Sequence, residues 1–492
     1  FVLKLDSQGN FVWAKAIGGS NHQEGWVIAT DPWGNILVTG SFRDTVDFDP
    51  GLGIYQLSSL GLNADIFVLK LNPAGDMIWA KAIQGTVPSY GLAIDNLGNV
   101  FTAGYYFYST DFDPGPATFV MTAMGMNKDA FACKWDSGGN FIWAKSFGGN
   151  SHDESEDIAL DSAGNLHVAG RFRGTADFDP GLGTFNMNAL GYDDVFVCKL
   201  DSLGNLSWAK TFGGQGYDFV RRIRLDGEGN CYTTGGVLLP VDFDPGPNVH
   251  PINSGGGLNS LFISKLDSVG NFVWAQSPAT NYERSAGYGL ALDDGANVYV
   301  SGYFEDSIDF DPRAPIDMHL AMGGIDVIFG KFCQAANRPT ISPGDTSFCL
   351  GGSVTLNASL ANGYIWSPTG DTTASITVTT SRSYTVTSED STGCAENSVS
   401  RVVTVHPLPA IPTITQLGNS LQSNAQNGNQ WFFNGVPLPN DTNQTCAITQ
   451  TGNYSVVVTD INGCSSSSTP SFMTDVVAGA PLDEATILYP NP

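Results

Sequence analysis

The 492-residue chain carries 58 glycines, 11% aromatic and only 14% charged side chains, with 22 Lys and Arg against 48 Asp and Glu for a formal net charge of −26. That composition describes many short strands joined by tight turns and excludes a protein built from charged-surface helices. The charge, with a pI near 4.3, repels phosphate backbones and anionic lipid, so nucleic acid and direct membrane adsorption are set aside as partners.

No apolar run reaches the ~18 residues needed to span a bilayer as a helix, and no long window has helical period. The fold class expected is therefore all-β, with about three domains from length. The chain starts at Phe1 without Met or signal peptide and begins mid-repeat, which marks it as a fragment or a processed form.

Internal repetition dominates the first two thirds. Trp13, Trp79, Trp143, Trp208 and Trp274 sit 66, 64, 65 and 66 residues apart, in the phrases FVWAKAIGG, MIWAKAIQG, FIWAKSFGG, LSWAKTFGG and FVWAQSPAT. An apolar strand bearing one Lys precedes each, as in FVLKLD and VFVCKL. The two strands are joined by Asp-x-x-Gly-Asn, a turn that wants positive φ at Gly and a side chain bonding its own backbone. A second hairpin with the same turn follows in every period, as in WVIATDPWGNILVTGSF and IALDSAGNLHVAGRF; Gly295-Ala296-Asn297 shifts its Gly. Two hairpins give four strands per period, enough for one blade of a β-propeller, and apolar residues on both strand faces fit sheets sandwiched between neighbours. Five copies plus a surplus strand at Val327–Phe332 give five blades if the ends close, or six or seven if the N-terminus is truncated. The mid-blade start and the surplus strand favour truncation.

Together FVxKLDxxGNxxWAK, DxxGNxxVTGxF and TVDFDPG resemble the SBBP-type bacterial β-propeller repeat, over residues 1–335. The resemblance implies a propeller on an exported protein and says little about a ligand.

From Cys333 the composition turns to Ser and Thr. Residues 336–406 and 407–474 each hold short strands around one central Trp (Trp366, Trp431), with Asn434-Gly435 as a hairpin turn. They resemble the Ig-like and PKD-like spacer modules of bacterial surface proteins. Residues 475–492 form a linker ending in Ile487-Leu488-Tyr489-Pro490-Asn491-Pro492. This resembles the opening of a C-terminal sorting domain for type IX secretion. It implies that secretion machinery as a partner and an extracellular or outer-membrane-surface location in a Gram-negative bacterium.

Cys133, Cys198 and Cys231 lie in apolar strands and are expected as small core residues. Cys349, Cys394, Cys446 and Cys464 lie near strand ends of the small modules. Cys349 with Cys394 and Cys446 with Cys464 are the pairings expected in an oxidising compartment.

Candidate metal ligands come from Asp-Phe-Asp-Pro. It places Asp47 and Asp49, Asp111 and Asp113, Asp177 and Asp179, Asp242 and Asp244, and Asp309 and Asp311 on one strand face, with the intervening Phe opposite. Paired carboxylates suit Ca²⁺, the one cofactor considered. The competing reading is a turn in which the second Asp caps backbone N–H and Phe plugs the core. It is the stronger, because the Asp-x-Asp-x-Asp spacing of known calcium loops is missing. His22 and His152, beside Glu24 and Asp153 or Glu154, have no equivalents in other repeats and read as solvated loop residues. The recurring Lys4, Lys70, Lys134, Lys199, Lys265 and Lys331 read as structural, packing on Trp and meeting an Asp such as Asp65 or Asp194. No catalytic motif is present, so no catalytic residue is assigned.

The reading is a secreted or cell-surface, non-catalytic binding or adhesion protein, not an enzyme. Its rim loops at 20–25, 84–90, 150–156 and 280–287 recognise extracellular polysaccharide or protein, and its small modules act as spacers. The alternatives are an exported polysaccharide hydrolase or lyase, and a purely structural surface component.

Overall fold

The computed structural model of the chain describes residues 1–59, 64–238, 240–252, 259–280, 284–309, 318–332, 339–359, 363–389, 395–398 and 400–474. It is all-β: the one helical element among the described residues is a single 3₁₀ turn at Met124–Met126. Among the described residues no helix is long and apolar enough to cross a membrane. The chain divides into two compact units, 1–334 and 335–492.

The first unit opens with the hairpin Val2–Leu5 and Phe11–Lys15, followed by five antiparallel sheets. Sheet I contains Gln23–Thr30, Ile36–Phe42, Asp65–Leu71 and Met77–Ile83 in that spatial order, and sheet II Thr86–Ile94, Val100–Phe107, Lys128–Trp135 and Phe141–Gly149. Sheet III contains Glu154–Leu160, Leu166–Phe172, Asp194–Leu200 and Leu206–Phe212, and sheet IV Phe219–Leu225, Cys231–Val237, Ser260–Leu266 and Phe272–Gln276. In sheet V, Ser285–Leu292, Val298–Asp309 and Met318–Phe332 form the first three strands. Each sheet joins the second hairpin of one period to the first hairpin of the next, pairing Leu37 with Lys70 and Val168 with Cys198. The first strands of successive sheets lie side by side from sheet I to sheet V.

The Asp-x-x-Gly-Asn turn closes these hairpins by side-chain chemistry. Asp136 Oδ1 accepts the N–H groups of Gly138 and Asn140, each at 2.9 Å, while Asn140 Nδ2 donates to Oδ2 at 2.8 Å. Gly139 takes φ +77°, which only Gly adopts freely. In the shifted turn the left-handed position falls on Ala296, φ +59°, a strain of roughly 1–2 kcal/mol.

The same turn clasps the neighbouring sheet. Trp79 Nε1 of sheet I donates to Ser137 O in the turn of sheet II at 3.2 Å, and Lys70 Nζ donates to the same oxygen at 3.2 Å. A Cβ at Gly139 would sit 3.1 Å from the Trp79 ring, and one at Gly270 would sit 3.0 Å from Trp208. The glycine is therefore required by backbone and by packing. The lysine's acid partner is not Asp65 or Asp194. Lys70 meets Asp31 at 3.0 Å, Lys199 meets Asp161 at 2.9 Å, and Lys265 meets Asp226 at 3.5 Å. Five residues of extended strand, about 17 Å, separate each Lys from the Asp at its strand start. The turn that opens the second strand lies next to it instead. Asp65 and Asp194 accept the backbone N–H groups of Gly85 (2.7 Å) and Leu190 (2.9 Å).

The second unit holds two small β arrangements. In the first, Trp366, Leu356, Tyr384 and Val386 form the core; in the second, Trp431, Leu421, Tyr454 and Val456 do. Each Trp indole donates to a backbone carbonyl, Thr373 at 2.8 Å and Asn443 at 3.0 Å, as a buried indole N–H requires. Asn434 and Gly435 both take positive φ in the hairpin turn that pairs Phe433 with Val436. The cysteine pairing differs from both expectations. Cys349 is bonded to Cys464, with Cα atoms 5.5 Å apart, and Cys446 is a buried free thiol. The bond joins strand ends of the two modules, a proximity invisible to spacing within either one. Cys394 and residues 475–492 lie outside the described residues.

Candidate functional site

The Asp-Phe-Asp-Pro segments form hairpin turns with one hydrogen-bond pattern. Asp47 Oδ1 accepts the N–H groups of Asp49 (3.1 Å) and Tyr55 (2.8 Å), and Asp49 Oδ1 accepts that of Gly51 (2.8 Å). Asp111 and Asp113, Asp177 and Asp179, and Asp242 and Asp244 repeat it. Phe48, Phe112, Phe178 and Phe243 are buried, and Phe178 meets Phe172 edge-on at 5.3 Å. The hairpin also ties sheets together: Asp177 and Ala176 pair with Gly148 and Gly149 at the end of the preceding sheet. Asp309 ends the second strand of sheet V, and Asp311 lies outside the described residues. Among the described residues no three His, Cys, Asp or Glu side chains gather closely enough to hold a metal ion.

His22 Nε2 lies 2.8 Å from Glu24 Oε1 on the surface. In the corresponding loop, Asp153 accepts backbone N–H groups from Gly149 (2.8 Å) and Arg173 (3.3 Å). Burial pushes Asp153 to about 7, Asp218 to about 7 and Asp129 to about 6.

A different constellation emerges from strand pairing. In all five sheets the register between the first two strands slips at an equivalent place: Gly25/Val27, Ser89/Gly91, Ser155/Asp157, Val220/Arg222 and Gly287/Gly289, with a second slip at Val87/Ser89 in sheet II. The residues skipped at the equivalent place are Trp26, Tyr90, Glu156, Arg221 and Tyr288. A β-bulge re-aims one side chain out of the ladder. Here the five re-aimed side chains stand on adjoining strands. The bulge needs a glycine opposite it. A Cβ at Gly40, Gly170, Gly235 or Gly302 would run into the carbonyl oxygen of Glu24, Glu154, Phe219 or Ala286.

The arc is continuous. Trp26 and Tyr90 meet edge-to-face at 5.5 Å, and Tyr90 lies 6.4 Å from Tyr105. Glu156 Oε2 accepts from Arg221 Nη1 at 2.9 Å, and Arg171 Nε lies 3.6 Å from Glu156 Oε1. The Arg221 guanidinium stands 5.4 Å from the Tyr288 ring centre. Lys128 pairs with Glu154 and lies 4.5 Å over Tyr105. Trp26 is 42% and Tyr288 46% exposed, whereas Glu156 is only 2% exposed. Burial lowers Lys128 to about 8, with the nearby Arg171 adding to it. Burial, then the Glu156 charge, raises Tyr90, and burial pushes Tyr105 to about 12. Rings flanking a donor–acceptor pair can stack on a ligand and hydrogen-bond it together.

Of the four rim loops, two end at arc residues (Tyr90, Glu156), while Trp26, Arg221 and Tyr288 fall outside them all. The signal in the sequence is the glycine recurring in each second strand (VTG, TAG, VAG, TTG, VSG), which marks the bulge.

No family model matches the chain. An uncharacterized WD repeat-containing protein of Acanthamoeba polyphaga mimivirus is 29% identical over 201 residues, covering 35% of this chain and 14% of that protein. The regulatory protein FlaEY of Caulobacter vibrioides is 24% identical over 322 residues, 62% of this chain and 32% of that protein. The chain thus spans under a third of the length of these curated relatives, and the likeness is that of a repetitive, β-rich protein. Among solved structures, the extracellular domain of a putative hybrid two-component system from B. thetaiotaomicron matches at 12% identity and TM-score 0.19, over 79% of this chain and 70% of that one. The eight N-terminal Ig domains of Down Syndrome Cell Adhesion Molecule match at 8% identity and TM-score 0.21, over 93% and 85%. Superpositions this distant decide neither architecture nor activity.

Proposed function

We propose that the chain is an extracellular, non-catalytic binding protein of the bacterial surface, with its five sheets as blades of an SBBP-type β-propeller and its two small modules as Ig-like spacers. The observation that carries this reading is the contrast within each sheet. The Trp–Lys–turn clasp repeats nearly unchanged, while the bulge position changes from Trp to Tyr, Glu, Arg and Tyr. Constant parts build a frame; a varied, partly exposed arc on that frame suits recognition. The resemblance of the Ile487–Pro492 segment to the opening of a sorting domain supports export by type IX secretion. The ligand class is extracellular polysaccharide or protein.

A second reading, a polysaccharide hydrolase, draws on Asp129 and Asp153, whose raised pKa values suit proton transfer near neutral pH. Both oxygens of Asp153, however, accept backbone N–H groups. One experiment separates the two: purified chain on an array of polysaccharides and matrix proteins, scored for retained protein and for released sugar. Retention without release is the expected result. Release that vanishes in Asp153→Asn would establish the hydrolase and sink the binding reading.

A further inference from the structure

We infer that the bulge arc is a binding site for a neutral saccharide, which deepens the binding-protein reading and rests on it. Three observations converge on that class.

First, flat rings border the arc at both ends, with Trp26 and Tyr90 on one side and Tyr288, 5.9 Å from Tyr303, on the other. Trp26 and Tyr288 are nearly half exposed, on the first strands of sheets I and V, the two ends of the described array, where a neighbouring sheet's first strand lies on one side only. Rings left open there offer stacking surface to the C–H face of a pyranose, a largely apolar plane.

Second, Glu156 and Arg221 place an acceptor beside a fork of donors. Adjacent hydroxyls on a sugar each donate and accept, so a carboxylate next to a guanidinium satisfies such a pair in one plane. Some hydrogen-bonding capacity is incompletely used: Glu156 Oε1 and Arg171 Nε face each other at 3.6 Å, too far for a hydrogen bond, and Arg221 Nε is buried without a hydrogen-bond partner. Buried polar atoms of this kind are uncommon unless something completes them.

Third, the electrostatics disfavour an anion. Arg171 faces Glu154 at 2.7 Å as well as Glu156, Lys128 faces Glu154, and Arg221 faces Glu156. A carboxylate or phosphate arriving there would displace those acids or sit against them, whereas neutral hydroxyls insert between the existing charges.

The test titrates the full chain by calorimetry with neutral hexasaccharides (cellohexaose, mannohexaose, chitohexaose), with hexagalacturonate and with a mixed peptide library. Variants are Trp26→Ala, Tyr288→Ala and Glu156→Gln, each checked for an unchanged melting temperature. Tyr217→Ala serves as the rim comparison, removing half of the stacked Tyr192–Tyr217 pair (4.7 Å). Binding of a neutral hexasaccharide that weakens at least tenfold in Trp26→Ala and Tyr288→Ala, and is unchanged in Tyr217→Ala, is the expected result. Trp26 and Tyr288 are exposed enough that their variants will fold, so the outcome stands even if Glu156→Gln is unstable. Binding lost only in Tyr217→Ala overturns the arc. Binding only to hexagalacturonate overturns the neutrality of the ligand, and binding only to peptide overturns the saccharide class. Both results leave the binding-protein reading in place. Failure to retain any polysaccharide or protein removes that reading as well.

Discussion

The two units stabilise small β pieces in opposite ways. In the first, no sheet is closed by itself. The closing turns of sheets I to IV each receive a tryptophan from the hairpin before them, so stability is spread over many similar contacts. In the second, two modules each rest on one central tryptophan and a short apolar core, and a cross-link between Cys349 and Cys464, 115 residues apart, ties them. Pieces of this size bury too little surface to be robust unaided. A repeat array distributes its stability, whereas a pair of modules concentrates it in one bond.

The sharpest way to break that comparison is reduction. Cys464→Ser or dithiothreitol is expected to destabilise the second unit by about 4–5 kcal/mol from loop entropy alone. The first unit's transition, followed by calorimetry, stays where it was. If both transitions fall together, the units are not independent in stability. Within the array, Gly170→Ala forces a Cβ against the Glu154 carbonyl and straightens the bulge, an expected loss of about 3 kcal/mol. Gly227→Ala, with nothing within 4 Å of its Cβ, is expected to stay within about 0.5 kcal/mol of wild type.

Acidity separates the units too, because the buried aspartates raised to about 7 lie in the array. Their native pKa exceeds the unfolded value near 3.8, so the folded chain holds more protons between those limits. The stability of the first unit therefore falls as pH rises from about 4 to about 7 and levels above that. At about 1.4 kcal/mol per pKa unit, a rise from 3.8 to about 7 corresponds to roughly 4 kcal/mol for each of the two aspartates. Asp161 works the other way. Burial alone would raise it, but Asn165 and Lys199 hold it at about 2, so its contribution is present above about 4 and is lost only as pH falls towards 2. Urea unfolding across pH 4–8 should show the first trend, and Asp218→Asn should flatten it; a rise in stability across that range would refute the assignment. A smaller effect is expected from Trp79→Phe, which removes the bond to Ser137 and part of the indole that lies on Gly139: about 2 kcal/mol, read as a drop in the first transition.

The all-β class and the strands were legible because hydrophobic runs and Asp-x-x-Gly-Asn turns are local signals repeated five times. The lysine partners were misplaced because Lys70 and Asp65 are close in sequence yet lie at opposite ends of one strand. The disulfide was misassigned because the bond joins two modules, and nothing within either module encodes the other's position. The arc went unseen for a related reason. Trp26, Tyr90, Glu156, Arg221 and Tyr288 each stand five residues before the Asp of their period's second turn, but their chemistry changes from period to period and only strand pairing shows that this position bulges out of the ladder. The other trace was the glycine in each second strand, present in every period without an evident turn to justify it.

The mildest test concerns the aspartate pairs of the Asp-Phe-Asp-Pro turns, where the calcium and turn readings give different results. Oδ1 of Asp47, Asp111, Asp177 and Asp242 each accepts two backbone N–H groups, and Oδ1 of the second Asp accepts one more. A hard divalent ion wants six or more oxygens, and in this geometry several are already engaged by donors that a cation would have to displace. Treatment with a chelator is therefore expected to leave the melting temperature of the first unit unchanged, within about 1 °C, because only an ion bound to the native state would contribute stability that chelation removes. A drop of several degrees, restored by Ca²⁺ and not by Mg²⁺, would show that the turns open towards an ion, and would make the hairpins that tie each sheet to the next a metal-dependent part of the array.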